Sequence, residues 1–317
     1  MNLEQFLVAL AKHLRTSPTQ IDKIIRSAPF RYKHYTIPKR SGGLRDIYHP
    51  SAALKSIQRW IVKFPLSNLP VHDSVYSYVV DKNIGMNAQA HTESNYFLRF
   101  DFENFFPSIS HSVLKSFLLR KIDDNTIPLA HDLVGALVRL VCRADKVDGD
   151  LALSIGAPSS PFLSNAVLFE FDSLINELVV NKGGIYTRYA DDVYISARDS
   201  SLMLDLENNF RTLVTSHLPF TKINEGKVHR LSRKRRVTIT GVNVTSDRKV
   251  SVGRDLKRSI RSRLYLVLNE KGSSIDYSSL RGSIAYVMSI EPNFIERLRQ
   301  KFGNQTVDDF MGFSSKN

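Results

Sequence analysis

Three aspartates carry the most chemical information in this chain. Asp101 interrupts an apolar run, Phe100-Asp101-Phe102, and a second acidic site, Asp191-Asp192, lies between Tyr189 and Val193-Tyr194-Ile195. A carboxylate in apolar surroundings carries a desolvation cost unless a cation or hydrogen bonds satisfy it. Acid pairs also occur at 123–124 and 308–309, so the pair alone says little, and each acid taken singly reads as a turn residue. Two strand-end sites that converge are different: they would form an oxygen-only pocket for two divalent cations about 3.5–4 Å apart. One ion would lower the pKa of an attacking hydroxyl and the other would neutralise a leaving pyrophosphate. Mg²⁺ suits such hard, partly hydrated ligation, with substrate phosphates completing the shell. The chemistry indicated is phosphoryl transfer.

The charge balance names the kind of substrate. Net charge is +13, and residues 222–263 hold fourteen Lys/Arg against three acids. Clustering of this kind favours a polyanionic partner, most often nucleic acid. Other classes recede. No apolar run approaches the ~18 residues of a membrane span. Cys142 is the single cysteine, which excludes an internal disulfide or a cysteine-cluster zinc site. No two histidines stand three or four residues apart, and the N-terminus shows neither a basic leader nor a cleavage site, so a cytoplasmic location is expected.

The elements that must position these acids can be read from periodicity. A helix is expected from Leu3 to Leu14, with Leu3, Phe6, Leu7, Leu10 and Leu14 inward, then a second opened by Ser17-Pro18 with a capping box to Gln20. Extended pieces follow around Ser41-Gly42-Gly43, and a helix from Ser51 to Phe64. Residues 96–102 read as a buried strand, 111–121 and 129–142 as helices, and Ser160-Pro161 as the start of one long helix reaching Leu178. Two short strands from Ile185 to Ala197 meet at Ala190-Asp191-Asp192. Helices of about 15 residues are expected from near Gly253, Tyr277 and Pro292. At 317 residues the chain suggests one domain with subdomains, of α+β class.

At this point the residues resemble the palm of a reverse transcriptase. Tyr189-Ala190-Asp191-Asp192 matches the YxDD box, and residues 100–109 (FDFENFFPSI) look like the preceding aspartate motif of bacterial enzymes. Residues 156–165 (GAPSSPFLSN) are similar to their GxPxSPxLxN segment. Among bacterial enzymes the chain most resembles retron reverse transcriptases: Asn87-Ala88-Gln89-Ala90-His91 fits their NAxxH signature, and Ile239-Thr240-Gly241 stands where VTG is usual. The likeness implies an RNA-directed DNA polymerase with a right-hand fold: N-terminal helices at 1–30, fingers at 31–95, palm at 96–245 with a helical insertion about 111–150, and a helical thumb at 246–317.

Residue by residue, the resemblance implies that Asp101, Asp191 and Asp192 hold two Mg²⁺ ions (Mn²⁺ as a possible substitute), with the backbone carbonyl of Phe102. Phe106 would gate against a ribose 2′-hydroxyl. Arg45, with Lys39 or Arg40, would clamp the dNTP triphosphate, Lys227 would protonate the pyrophosphate, and the turn at Gly156 would approach the new base pair, with Ser160 capping the helix beneath. Asn87 and His91, and the thumb residues Arg254, Lys257, Arg258 and Arg261, would contact nucleic acid. Tyr265 and Tyr286 could stack on bases but read rather as core. Relatives usually carry Gln where this chain has Ile155, which bears on nucleotide handling. The implied partners are a cognate non-coding RNA as template and primer, the RNA–DNA product (msDNA), dNTPs and a defence effector protein. Abortive-infection or group II-like enzymes, and a non-catalytic RNA-binding scaffold of the same fold, are the alternatives.

Overall fold

The computed structural model describes residues 1–38, 42–145, 149–269 and 275–313. The chain starts with α1 (Leu3–Leu14) and α2 (Pro18–Ser27). The capping box lies on α1, where Asn2 and Gln5 bond reciprocally; at α2 the Ser17 hydroxyl accepts from the Gln20 N–H alone. A hairpin follows, β1 (Tyr32–Pro38) and β2 (Leu44–Pro50), then α3 (Ala52–Lys63) and α4 (Ile84–Ala90). Next come β3 (Tyr96–Asp101), α5 (Phe105–Ser108), α6 (His111–Asp123), α7 (Val134–Val141), and the two-residue strands β4 (Arg143–Ala144) and β5 (Leu151–Ala152).

The helix expected at 129–142 starts only at Val134. Residues 128–130 are tied instead to the N-terminus: the Met1 ammonium donates to the Pro128 carbonyl and the Ala130 N–H donates to the Met1 carbonyl. The long helix expected from Ser160 is two, α8 (Ser160–Val167) and α9 (Phe169–Asn181), interrupted at Leu168. The break lets α9 bury Phe171, Asp172, Ile175 and Val179, while α8 buries Leu163, Ser164, Asn165 and Ala166. Ser160 does not cap α8; its hydroxyl accepts the Ser154 N–H at 3.2 Å.

The central four-stranded sheet is antiparallel, in the order β6 (Ile185–Tyr189), β7 (Asp192–Ala197), β3, β8 (His229–Ser232), with α10 (Met203–His217) between β7 and β8. Phe100 of β3 and Phe102 just beyond it pack onto Phe210 of α10 and, through Phe102, onto Phe171 of α9, which places the main core between sheet and helices. A small sheet of β9 (Val237–Ile239), β10 (Val242–Val244) and β11 (Val250–Ser251) packs beside α4. The C-terminal helices α11 (Arg254–Leu268), α12 (Tyr277–Met288), α13 (Phe294–Phe302) and α14 (Asn304–Met311) enclose a separate core around Ile260, Leu264, Ile284, Phe294 and Leu298. The single helix expected from Pro292 ends at Gly303, whose φ of 91° suits glycine, and α14 begins beyond it.

Candidate active site and nucleic-acid surface

Strand register decides where the three acids meet. Asp101, the last residue of β3, is the direct antiparallel partner of Asp192, the first residue of β7. Directly opposed side chains share one face of a sheet, so both carboxylates emerge together at the strand ends. Asp191 sits in the two-residue turn between β6 and β7, and its backbone carbonyl accepts the Phe102 N–H at 3.2 Å. Two of the three carboxyls are raised. Burial pushes the Asp191 carboxyl up to about 6, aided by the negative charges of Asp192 and Asp101. The Asp192 carboxyl is also raised, by desolvation first, against the pull of Arg99.

Two cations stand in this cluster. Lys227 Nζ lies 2.7 Å from Asp101 Oδ1, and Arg99 donates to Asp192 Oδ1 through Nη2 at 2.7 Å and Nε at 3.0 Å. Among the described residues no group of three or more His, Cys, Asp or Glu side chains is arranged to hold a metal ion. The three acids converge, and Asp101 and Asp192 each face a neighbouring cation, Lys227 and Arg99. The donor set itself fits hard divalent ions. It is all oxygen, and Asp191, the most strongly shifted acid, has no side-chain partner among the described residues.

Around this centre the expected nucleotide contacts take varied positions. Arg45 is exposed on β2. Its charge lowers the Tyr78 phenol pKa, which burial first and then Tyr189 and Asp191 raise. Phe106 is half-buried on α5, edge-on to the buried Phe105 at 5.2 Å. Gly156 is exposed with φ 109°, and a Cβ there would lie 2.7 Å from the Tyr48 carbonyl oxygen, so only glycine fits against β2. The neighbouring Ile155 carbonyl accepts the Tyr48 N–H at 2.8 Å, pinning this loop to the hairpin. Lys39 and Arg40 lie outside the described residues.

Two expected nucleic-acid contacts are overturned. Asn87 and His91 are wholly buried. The His91 ring bonds Ser196 Oγ at 2.6 Å and Thr187 Oγ1 at 2.8 Å, and burial lowers its pKa to about 3, so it is a neutral core linker between α4 and the four-stranded sheet. Asn87 Nδ2 donates to Thr240 Oγ1 at 3.4 Å, which ties the same helix to the ITG turn. On α11, Arg254, Lys257, Arg258, Arg261 and Tyr265 line a groove of about 640 Å³ with Lys301 of α13. Lys257 is largely spent there, paired with Glu291 at 2.9 Å, and Arg261 lies over the Phe294 ring. Tyr265 and Tyr286, expected in the core, are both exposed.

Sequence reasoning passed over Arg99. Its signal was alternation: residue 99 lies two before Asp101 on one strand and so shares its face. It also passed over the buried Arg188–Asp172 ion pair behind the YADD turn, 2.6 Å apart, for which helix and strand patterning gives no sign.

Relatives now bear on this geometry. The reverse transcriptase (RNA-dependent DNA polymerase) family matches residues 37–244. The chain is 35% identical over 307 residues to the retron Ec83 reverse transcriptase of Escherichia coli, covering 95% of this chain and 96% of that one. It belongs to the retron reverse transcriptases. It is likewise 33% identical to the retron Ec73 enzyme of E. coli, across 88% and 89% of the two chains. Among solved structures, apo telomerase from Candida tropicalis matches with a TM-score of 0.53 at 12% identity, over 90% of this chain and 60% of that one. Telomerase from Candida albicans bound to a fragment of telomeric RNA gives 0.51 at 12% identity, over 90% and 55%. The retron enzyme thus spans little more than half of those telomerase chains and shares their fold. Its activity is RNA-directed DNA polymerisation, and its fold is the right-hand α+β polymerase architecture.

Proposed function

We propose that this enzyme copies a structured non-coding RNA, which supplies both template and primer, into single-stranded DNA that stays covalently joined to it as msDNA. The carrying observation is the register that sets Asp101 opposite Asp192 with Asp191 in the adjoining turn. We divide the chain into N-terminal helices (1–30), fingers (31–95), palm (96–245) and thumb (246–317). Asp101, Asp191, Asp192 and the Phe102 carbonyl would hold two Mg²⁺ ions, or Mn²⁺ in their place. Bound there, such ions supply activation of the attacking hydroxyl and neutralisation of the departing pyrophosphate.

The chain's own residues do the rest. Lys227 Nζ, at the edge of the cluster and about half exposed, holds a proton that a leaving pyrophosphate oxygen can take. Arg45 offers a planar fork to the dNTP triphosphate, with Lys39 or Arg40 as the second cation. Phe106 closes the space beneath the sugar, and the Gly156 loop presents backbone to the base pair. Arg254, Arg258 and Arg261 grip phosphates of the RNA–DNA duplex. Kinship with retron enzymes supports work in the cytoplasm and in phage defence with an effector protein; no helix among the described residues is long and apolar enough to cross a membrane.

The test is expression with the native flanking DNA, followed by denaturing electrophoresis of the nucleic acid that copurifies. The reading expects DNA whose mobility changes on RNase treatment, present with the wild-type enzyme and missing with Asp191→Asn. Copurified RNA carrying no linked DNA would contradict it.

A further inference from the structure

Ala190, the residue between Tyr189 and Asp191, adopts φ 57° and is buried. L-residues other than glycine disfavour this left-handed conformation, so the surroundings must enforce it. They do so from both ends of the residue. The Ala190 N–H donates to Ser77 Oγ at 2.7 Å, and the Ala190 carbonyl accepts from Arg188 Nη1 at 3.1 Å. Arg188 is fixed in turn by a two-pronged pair with Asp172, at 2.8 and 2.6 Å, and by Asn165 at 3.1 Å. The Asn165 amide donates to the Ser77 carbonyl at 2.9 Å, which closes the ring of contacts. The segment carrying Ser77 runs parallel to β6 for one bridge, Val75 to Arg188, with the Arg188 N–H on the Ser74 carbonyl and the Tyr76 N–H on the Arg188 carbonyl, both at 2.9 Å. Ser77 is itself fully buried.

This arrangement matters most for Asp191. Asp192 is oriented by Arg99 and Asp101 by Lys227 and Asn224, but no side chain among the described residues holds the Asp191 carboxylate. Its direction is set by the backbone of the turn alone, and the acceptor for that turn's N–H comes from 113 residues upstream. We propose that Ser77 is a positioning residue: its hydroxyl locks the left-handed Ala190 turn and thereby aims the Asp191 carboxylate at the metal site. The inference rests on the metal reading of Asp191 given above. Without the hydroxyl, the buried N–H loses its acceptor, the strained turn loses its reason to persist, and the carboxylate swings out of line.

The experiment uses the full-length enzyme on a primed RNA template with a chain-terminated primer and the next dNTP, so that no turnover occurs. Mn²⁺ affinity is read from the EPR signal of the free ion, and hydrogen exchange is followed in peptides spanning Ala190. Ser77→Ala should weaken Mn²⁺ binding about fivefold and speed Ala190 amide exchange at least about tenfold, whereas Ser77→Thr, which keeps the hydroxyl, should stay near wild type. Wild-type Mn²⁺ affinity in Ser77→Ala, even with a lowered melting temperature, would overturn the inference, as would an equal shift in Ser77→Thr. Asp191→Asn separates the two readings. If it retains wild-type Mn²⁺ binding, the metal assignment fails; if it loses binding while Ser77→Ala does not, only the role of Ser77 fails.

Discussion

Asp191 is placed at a cost to the fold. Its carboxyl is raised to about 6 by burial and by two neighbouring negative charges, so the folded chain favours its protonated form more than the unfolded chain does. Between pH ~4 and 6 the folded state therefore binds more protons, stability falls as pH rises through that window, and the full penalty stands above it. Asp191→Asn removes the charge. Calorimetry at pH 7.5 without divalent metal should show a melting temperature higher by about 2–4 °C, with the difference fading below pH 4. A lower melting temperature in the variant at pH 7.5 would mean that the acid is stabilised rather than strained where it stands. Phe106 belongs to the same scale. It packs edge-on to Phe105, so trimming it to Ala opens space without disturbing the buried ring. Phe106→Ala should raise ribonucleotide use relative to dNTP by about tenfold or more in single-nucleotide extension assays; unchanged sugar selectivity would exclude the gate. The acids themselves were legible in the sequence because each breaks an apolar run. Their counter-ions were harder to foresee, because Arg99 and Lys227 acquire their partners from strand register and loop return, not from neighbours in sequence.

At the scale of elements, local signals worked where a turn residue or a period was decisive. The hairpin at Ala190-Asp191 and strand β3 appear where expected. The failures have physical causes. Leu168 breaks α8 from α9 with neither Gly nor Pro to announce it, because the two helices bury different faces. Gly303, by contrast, was a readable stop for α13. The NAxxH signature pointed to a real constraint but to the wrong role: α4 must be welded to the palm, and buried Asn87 and His91 do so. On α11 the three- and four-residue spacing correctly gathered basic side chains on one groove, although Lys257 is claimed by Glu291 from the loop before α13. Arg254 and Arg258 remain exposed there. Replacing both with Ala should lower the slope of log affinity against log salt by roughly 1.8, at about 0.9 per phosphate contact. Filter binding of a primed RNA template across a salt series reads this directly, and an unchanged slope would remove α11 from the duplex interface.

For the whole molecule, a net charge of +13 and an acidic centre are two halves of one requirement. The basic surfaces hold a polyanion against which three carboxylates could not otherwise be brought, and the carboxylates call for cations to meet its reacting phosphate. The α+β class and the order of the motifs could be read from the chain, but the separation of the C-terminal core from the palm core could not, since it depends on which helices pack together. The central claim is that Asp101 and the YADD hairpin form one polymerase centre, and it is tested most directly by single-nucleotide dNTP incorporation on a primed RNA template. The account predicts Mg²⁺-dependent extension by the wild-type enzyme, abolished by EDTA, and a loss of about a thousandfold or more in both Asp101→Asn and Asp191→Asn with template affinity retained. Extension within tenfold of wild type in either variant would contradict it.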